Sequence, residues 1–150
     1  MPRQQGDPPF AAEEQLFRRL LEDWIDTGGR VRDAAIDLQG TSVDRGLFRG
    51  EPSDCLADAP AHFVAVGAIT FRDVPDQFAA PPATPYESVV AYAPEHGNVA
   101  HSEIQFWQVG ATAASKPRSN LIKSQIREEI AKRMRVVYRR DESPPGDRHP

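Results

Sequence analysis

His62-Phe63-Val64-Ala65-Val66-Gly67-Ala68-Ile69-Thr70-Phe71 is the stretch that decides the fold. Phe63, Ala65, Gly67, Ile69 and Phe71 alternate with Val64, Val66, Ala68 and Thr70. Both sets are mostly apolar, so the run reads as a strand covered on both faces, central in a sheet. C-terminal to it, Pro75, Pro81, Pro82 and Pro85 interrupt the chain before a second strand from Glu87 to Ala93. Pro94 and the turn His96-Gly97-Asn98 lead into a third strand, Ala100 to Val109. There Ser102, Ile104 and Phe106 take one face, and His101, Glu103, Gln105 and Trp107 the other. The short link predicts an antiparallel pair.

N-terminal to the central strand, Gly40 to Pro60 is rich in Gly, Pro, Asp and Ser and reads as an extended loop. Ala34, Ile36 and Leu38 alternate with Ala35, Asp37 and Gln39, the pattern of a half-buried strand, with a helical turn through Val31 to Ala35 as the alternative. Leu16, Phe17, Leu20, Leu21, Trp24 and Ile25 recur at i, i+1, i+4, i+5, which predicts a helix from Ala11. Gly28 and Gly29 supply its stop. At the other end, Ser119 or Asn120 offers a cap. Ile122, Ile126, Ile130, Met134 and Val137 then give the apolar stripe of a long helix running to about Arg139. The expected fold is α+β: a small antiparallel sheet of about four strands packed against an N-terminal and a long C-terminal helix. Residues 1–10 read as a flexible lead, 11–140 as a single domain and 141–150 as a disordered tail.

Composition narrows the function classes. The chain has 150 residues, 39% of them hydrophobic and 27% charged, a balance suited to one soluble domain. No run approaches the ~20 apolar residues of a membrane helix, and Met1 to Gly6 lacks a signal-peptide core. Cys55 stands alone, which excludes an intrachain disulfide and a multi-cysteine zinc site. A reducing, cytoplasmic location is expected. The net charge of −4 conceals an asymmetry. Residues 1–115 hold 8 basic and 17 acidic side chains, whereas 116–140 hold 9 basic and 2 acidic.

Three constellations carry possible chemistry. His101 and Glu103 share a strand face, roughly 6–7 Å apart. That spacing lets a carboxylate orient an imidazole for acid–base work. With His96 the pair makes a loose set of metal-type ligands, but one without a fixed motif spacing, so no metal or other cofactor is assigned. The plain alternative is a polar outer sheet face. The loop from Thr41 to Gly50 offers Arg45 and Arg49 as forks for an anionic substrate, with Ser42 and Asp44 to hold them. Its alternative is an ordered crossover in which these Arg and Asp residues pair with each other. No GxxxxGK[ST] or GxGxxG pattern occurs. Outside the three, Cys55 with His62 is a possible nucleophile pair, though a lone cysteine is more often a small buried hydrophobe.

The third constellation is the basic strip of the C-terminal helix: Lys123, Arg127, Arg133, Arg135 and Arg139, flanked by Lys116, Arg118, Lys132 and Arg140. Such a strip suits an acidic protein or nucleic acid. It also suits a solvated helical face, since Glu128 and Lys132 are spaced i, i+4. Tyr138 is its one aromatic, so base stacking gains no support. The expectation is an accessory or interaction domain docking an acidic protein partner or nucleic acid through this helix. The alternative is a small hydrolase- or transferase-type enzyme acting on an anionic substrate with a His/Glu/Arg site.

Overall fold

In this computed structural model residues 1–140 are described; the expected tail, 141–150, lies outside them. The described residues fold into an eight-stranded mixed sheet with one α-helix. The strands are β1 (Arg3–Gln5), β2 (Gln15–Leu21), β3 (Thr41–Arg45), β4 (Phe63–Thr70), β5 (Gln77–Phe78), β6 (Tyr86–Tyr92), β7 (His101–Gln108) and β8 (Arg135–Arg139). The helix, α1, spans Asn120–Ala131. The sheet order is β1-β6-β7-β3-β2-β4-β8, with β5 pairing β6. Every pair is antiparallel except β1 with β6.

The strands expected at 62–71, 87–93 and 100–109 are β4, β6 and β7, and β6 and β7 form the expected antiparallel pair. The rest of the expected architecture is corrected. The sheet has eight strands rather than about four, and there is no N-terminal helix. The segment read as that helix is β2, followed by a single 3₁₀ turn at Glu22–Trp24. Its i, i+1, i+4, i+5 pattern fits a strand because both faces of β2 are covered. Leu16 and Leu20 enter the main core, while Phe17 enters a second cluster with Cys55, Leu56, Val66 and Ala68 on the opposite face. The helical reading assumed one-sided burial, and the fold does not require it.

The long C-terminal helix is also shorter than expected. Ile122, Ile126 and Ile130 are fully buried against the sheet, but the helix ends at Ala131. Val136, Val137 and Tyr138 are β-branched or aromatic, and they continue as the edge strand β8 against β4. Gly67 makes room there, since a Cβ on it would stand 3.0 Å from Met134 Cγ and 3.1 Å from Leu20 Cδ1. Around residues 34–38 the chain makes a 3₁₀ turn at Asp33–Ala35, as the helical-turn alternative had it, and a turn at Leu38–Gln39 rather than a strand. The 40–60 loop contains β3 and two further 3₁₀ turns. Within the expected flexible lead, Arg3–Gln5 form β1 and Phe10 is buried.

Candidate functional site

Strand parity sorts the polar residues of β3. Thr41, Val43 and Arg45 point into the core, whereas Ser42 and Asp44 point to the outer face. Arg45 is 0% exposed. Its Nε and Nη2 donate to the two Glu14 carboxylate oxygens at 2.7 and 2.8 Å. Nη1 donates to Pro8 O at 2.5 Å, Nη2 to Pro9 O at 3.1 Å, and the guanidinium sits 3.9 Å from the Phe10 ring centre. Four of its five N–H groups are thereby used to hold residues 8–14. Arg45 is an internal anchor, and its guanidinium is not presented to a ligand.

Register brings the outer-face residues together. Asp44 lies opposite His101, and Ser42 opposite Glu103. Asp44 Oδ2 accepts from Arg49 Nε at 3.2 Å and is 3.6 Å from Arg19 Nη2. Oδ1 accepts from Asn98 Nδ2 at 2.9 Å, and Asn98 Oδ1 accepts from Arg49 Nη2 at 2.8 Å. Asp44 and Arg49 are thus joined to each other and to the β6–β7 turn, the ordered-crossover alternative for this loop.

His101 is the remaining polar centre of this face. Its Nδ1 is 2.8 Å from Ala93 O, and a carbonyl only accepts, so Nδ1 carries a proton. Glu95 Oε1 lies 3.4 Å from the same nitrogen. In the neutral ring Nε2 is then an acceptor, and Ser42 Oγ lies 3.4 Å from it. The orienting groups of His101 are therefore Ala93 O and Glu95. Glu103 instead accepts from Gln105 Nε2 at 3.2 Å. His96 stands exposed in the turn, and among the described residues no group of three or more His, Cys, Asp or Glu side chains is placed to hold a metal ion. A groove of about 320 Å³ adjoins Ser42, Asp44 and His101, with Arg18, Arg19 and Trp24 on its wall. From the sequence Trp24 reads as a core residue, and neither Arg18 nor Arg19 stands out. The signal available was an Arg18-Arg19 doublet inside the apolar run 16–21.

Cys55 is 1% exposed beneath this network. Burial pushes its thiol up to about 12, and the neighbouring Asp44 carboxylate adds to the rise against Arg49 and Arg19. The folded state therefore keeps a proton that the unfolded chain releases near pH 9. The stability contributed is complete below that pH and is lost as pH climbs toward about 12. Native protein at mildly alkaline pH should resist a thiol-reactive disulfide reagent, and unfolding in urea should release one reactive thiol. Prompt reaction of the native protein would contradict this placement.

The basic segment is divided between elements. Lys132 and Arg133 pair with Glu129, and Arg139 with Glu22. Arg135 Nη2 donates to Gln15 Oε1 at 3.2 Å, and Arg140 Nη2 to Leu56 O at 2.6 Å. Lys123 and Arg127 lie one turn apart on α1, preceded by Lys116 and Arg118. No carboxylate within 4.0 Å of these four is found among the described residues. No helix among the described residues is long and apolar enough to cross a membrane. No family model, curated protein or solved structure matches the chain.

Proposed function

We propose that the chain is a docking domain that engages an acidic segment of a partner protein through Lys116, Arg118, Lys123 and Arg127. The observation that carries this reading is the pairing state of the basic segment. Lys116, Arg118, Lys123 and Arg127 lack carboxylate partners among the described residues, whereas Lys132, Arg133 and Arg139 have them. The helix directs Ile122, Ile126 and Ile130 into the core. It therefore offers a partner chiefly charge, and Leu121, 58% exposed, is its one large apolar contribution. Affinity of this kind is electrostatic and salt-sensitive.

An acidic protein segment is favoured over nucleic acid for two reasons. The 17 acidic and 8 basic residues of 1–115 would repel a stiff duplex that extends past the patch, whereas a flexible acidic polypeptide bends away from them. Tyr138, the aromatic of the basic segment, lies in β8, and Trp24 beside Lys116 and Arg127 cannot alone stack successive bases. The single buried thiol accords with a reducing, cytoplasmic setting. The test is a low-salt titration with poly-L-glutamate and with duplex DNA. Poly-glutamate should bind, and Lys123→Glu with Arg127→Glu should weaken it. Tighter binding of DNA would shift the partner class to nucleic acid, and binding of neither would overturn docking.

A catalytic reading is favoured by one specific observation, the Ser42–His101 pair. On this reading Nε2 takes the Ser42 proton as Oγ attacks an ester carbonyl and returns it to the departing alcohol; it then takes a proton from water, which releases the acyl group as a carboxylic acid and restores Ser42. Ala93 O and Glu95 fill the orienting role assigned from sequence to Glu103. A fluorophosphonate probe should then label Ser42, and His101→Ala should abolish labelling. An unlabelled native protein removes this reading.

A further inference from the structure

Arg18 projects from β2 where it leaves β3, since the β2–β3 ladder is limited to Leu16 and Phe17. Its Nε donates to Ala35 O at 2.6 Å and its Nη1 to Ser42 O at 2.8 Å, and the guanidinium lies 5.0 Å from the Trp24 ring centre. It is half-buried, and no carboxylate oxygen lies within 4.0 Å among the described residues. Burial lowers its pKa to about 10 against the pull of Asp37, so it remains a cation at neutral pH. A desolvated cation held by carbonyl dipoles and an indole face, with Asp37 acting only from a distance, is short of a counter-charge.

The same guanidinium lines a cleft of about 290 Å³ between α1 and residues 34–39. Lys116 and Arg127, two cations of the docking surface, line it as well, and so do the apolar Trp24 and Leu38. Asp37 is the one carboxylate on its wall. Three cations against one anion, beside a half-buried indole, form a site for a carboxylate carried next to an aromatic group.

We infer that this cleft is the anchor pocket of the docking surface, taking one carboxylate of an acidic segment among Arg18, Lys116 and Arg127 while a neighbouring aromatic side chain covers Trp24 and Leu38. The inference rests on the docking reading and adds to it a preference in the partner's sequence, an acidic residue flanked by an aromatic one. Charge alone attracts the segment, and the cleft selects among acidic segments.

The test uses the full chain carrying Trp107→Phe, so that Trp24 is the one indole. It is titrated with poly-L-glutamate and with a glutamate–tyrosine copolymer at the same low salt, exciting where tyrosine does not absorb. The copolymer should bind roughly ten-fold more tightly and shift the Trp24 emission. Arg18→Gln should bring the two affinities together, weakening the copolymer roughly ten-fold more than poly-glutamate. Lys116→Gln is the second variant should Arg18→Gln fail to fold. Equal affinity for the two polymers, or an unmoved Trp24 emission, would overturn the pocket and leave docking standing. Failure of both polymers to bind would overturn the docking reading and the pocket with it.

Discussion

Arg45→Ala should destabilise the domain by about 3–5 kcal/mol, because it leaves the Glu14 carboxylate buried without its cation. Both side chains of the pair are enclosed, Arg45 at 0% and Glu14 at 7% exposure. The substitution also releases Pro8 O and Pro9 O and removes the cation from the Phe10 ring, so the segment leading from β1 to β2 loses its anchor. Removing both charges avoids the stranded carboxylate. The double variant Glu14→Gln with Arg45→Met should therefore lose less than the single variant Arg45→Ala. Urea melts of the three proteins measure this. A loss below about 1 kcal/mol for Arg45→Ala would mean that the bidentate pair does not hold the N-terminal segment.

The same residue illustrates what the sequence could disclose. Arg45 reads naturally as a ligand-binding cation in a glycine-flanked loop. Once Thr41–Arg45 is recognised as a strand, its parity with the buried Val43 turns it inward, where a cation needs a counter-charge. Nothing local indicates that Glu14, 31 residues earlier, supplies it. The β6–β7 pair and β4 were legible because their alternation is long and their breaks are marked by proline. β2 was not, since Leu16-Phe17 and Leu20-Leu21 satisfy a helical period as well as a strand buried on both faces. Sheet pairing, a property of the whole chain, decides between them. The end of α1 was hidden similarly. Met134 and Val137 extend the isoleucine stripe, yet Val136-Val137-Tyr138 also suits the edge strand that β4 accepts. Ser42, Asp44, His101 and Glu103 were each visible as polar residues. Their alignment on one face depends on the β3–β7 pairing, which a loop reading of 40–60 conceals.

The central claim is that Lys116 to Arg127, rather than the whole basic segment, carries partner binding. Exposed charge pairs contribute about 0.2–1 kcal/mol each. Converting two attractions into two repulsions at Lys123 and Arg127 should therefore cost about 2 kcal/mol, roughly a 30-fold loss of affinity. Neither change disturbs a buried contact of the helix stripe, and Glu keeps good helix propensity, so the fold should persist. Arg133 and Arg135 already engage Glu129 and Gln15, so reversing them should cost a partner far less. The decisive measurement is poly-L-glutamate affinity at low salt for wild type, Lys123→Glu with Arg127→Glu, and Arg133→Glu with Arg135→Glu. The account predicts a roughly 30-fold loss for the first pair and a several-fold smaller loss for the second. Equal losses for the two pairs, or full binding by the first, would contradict it.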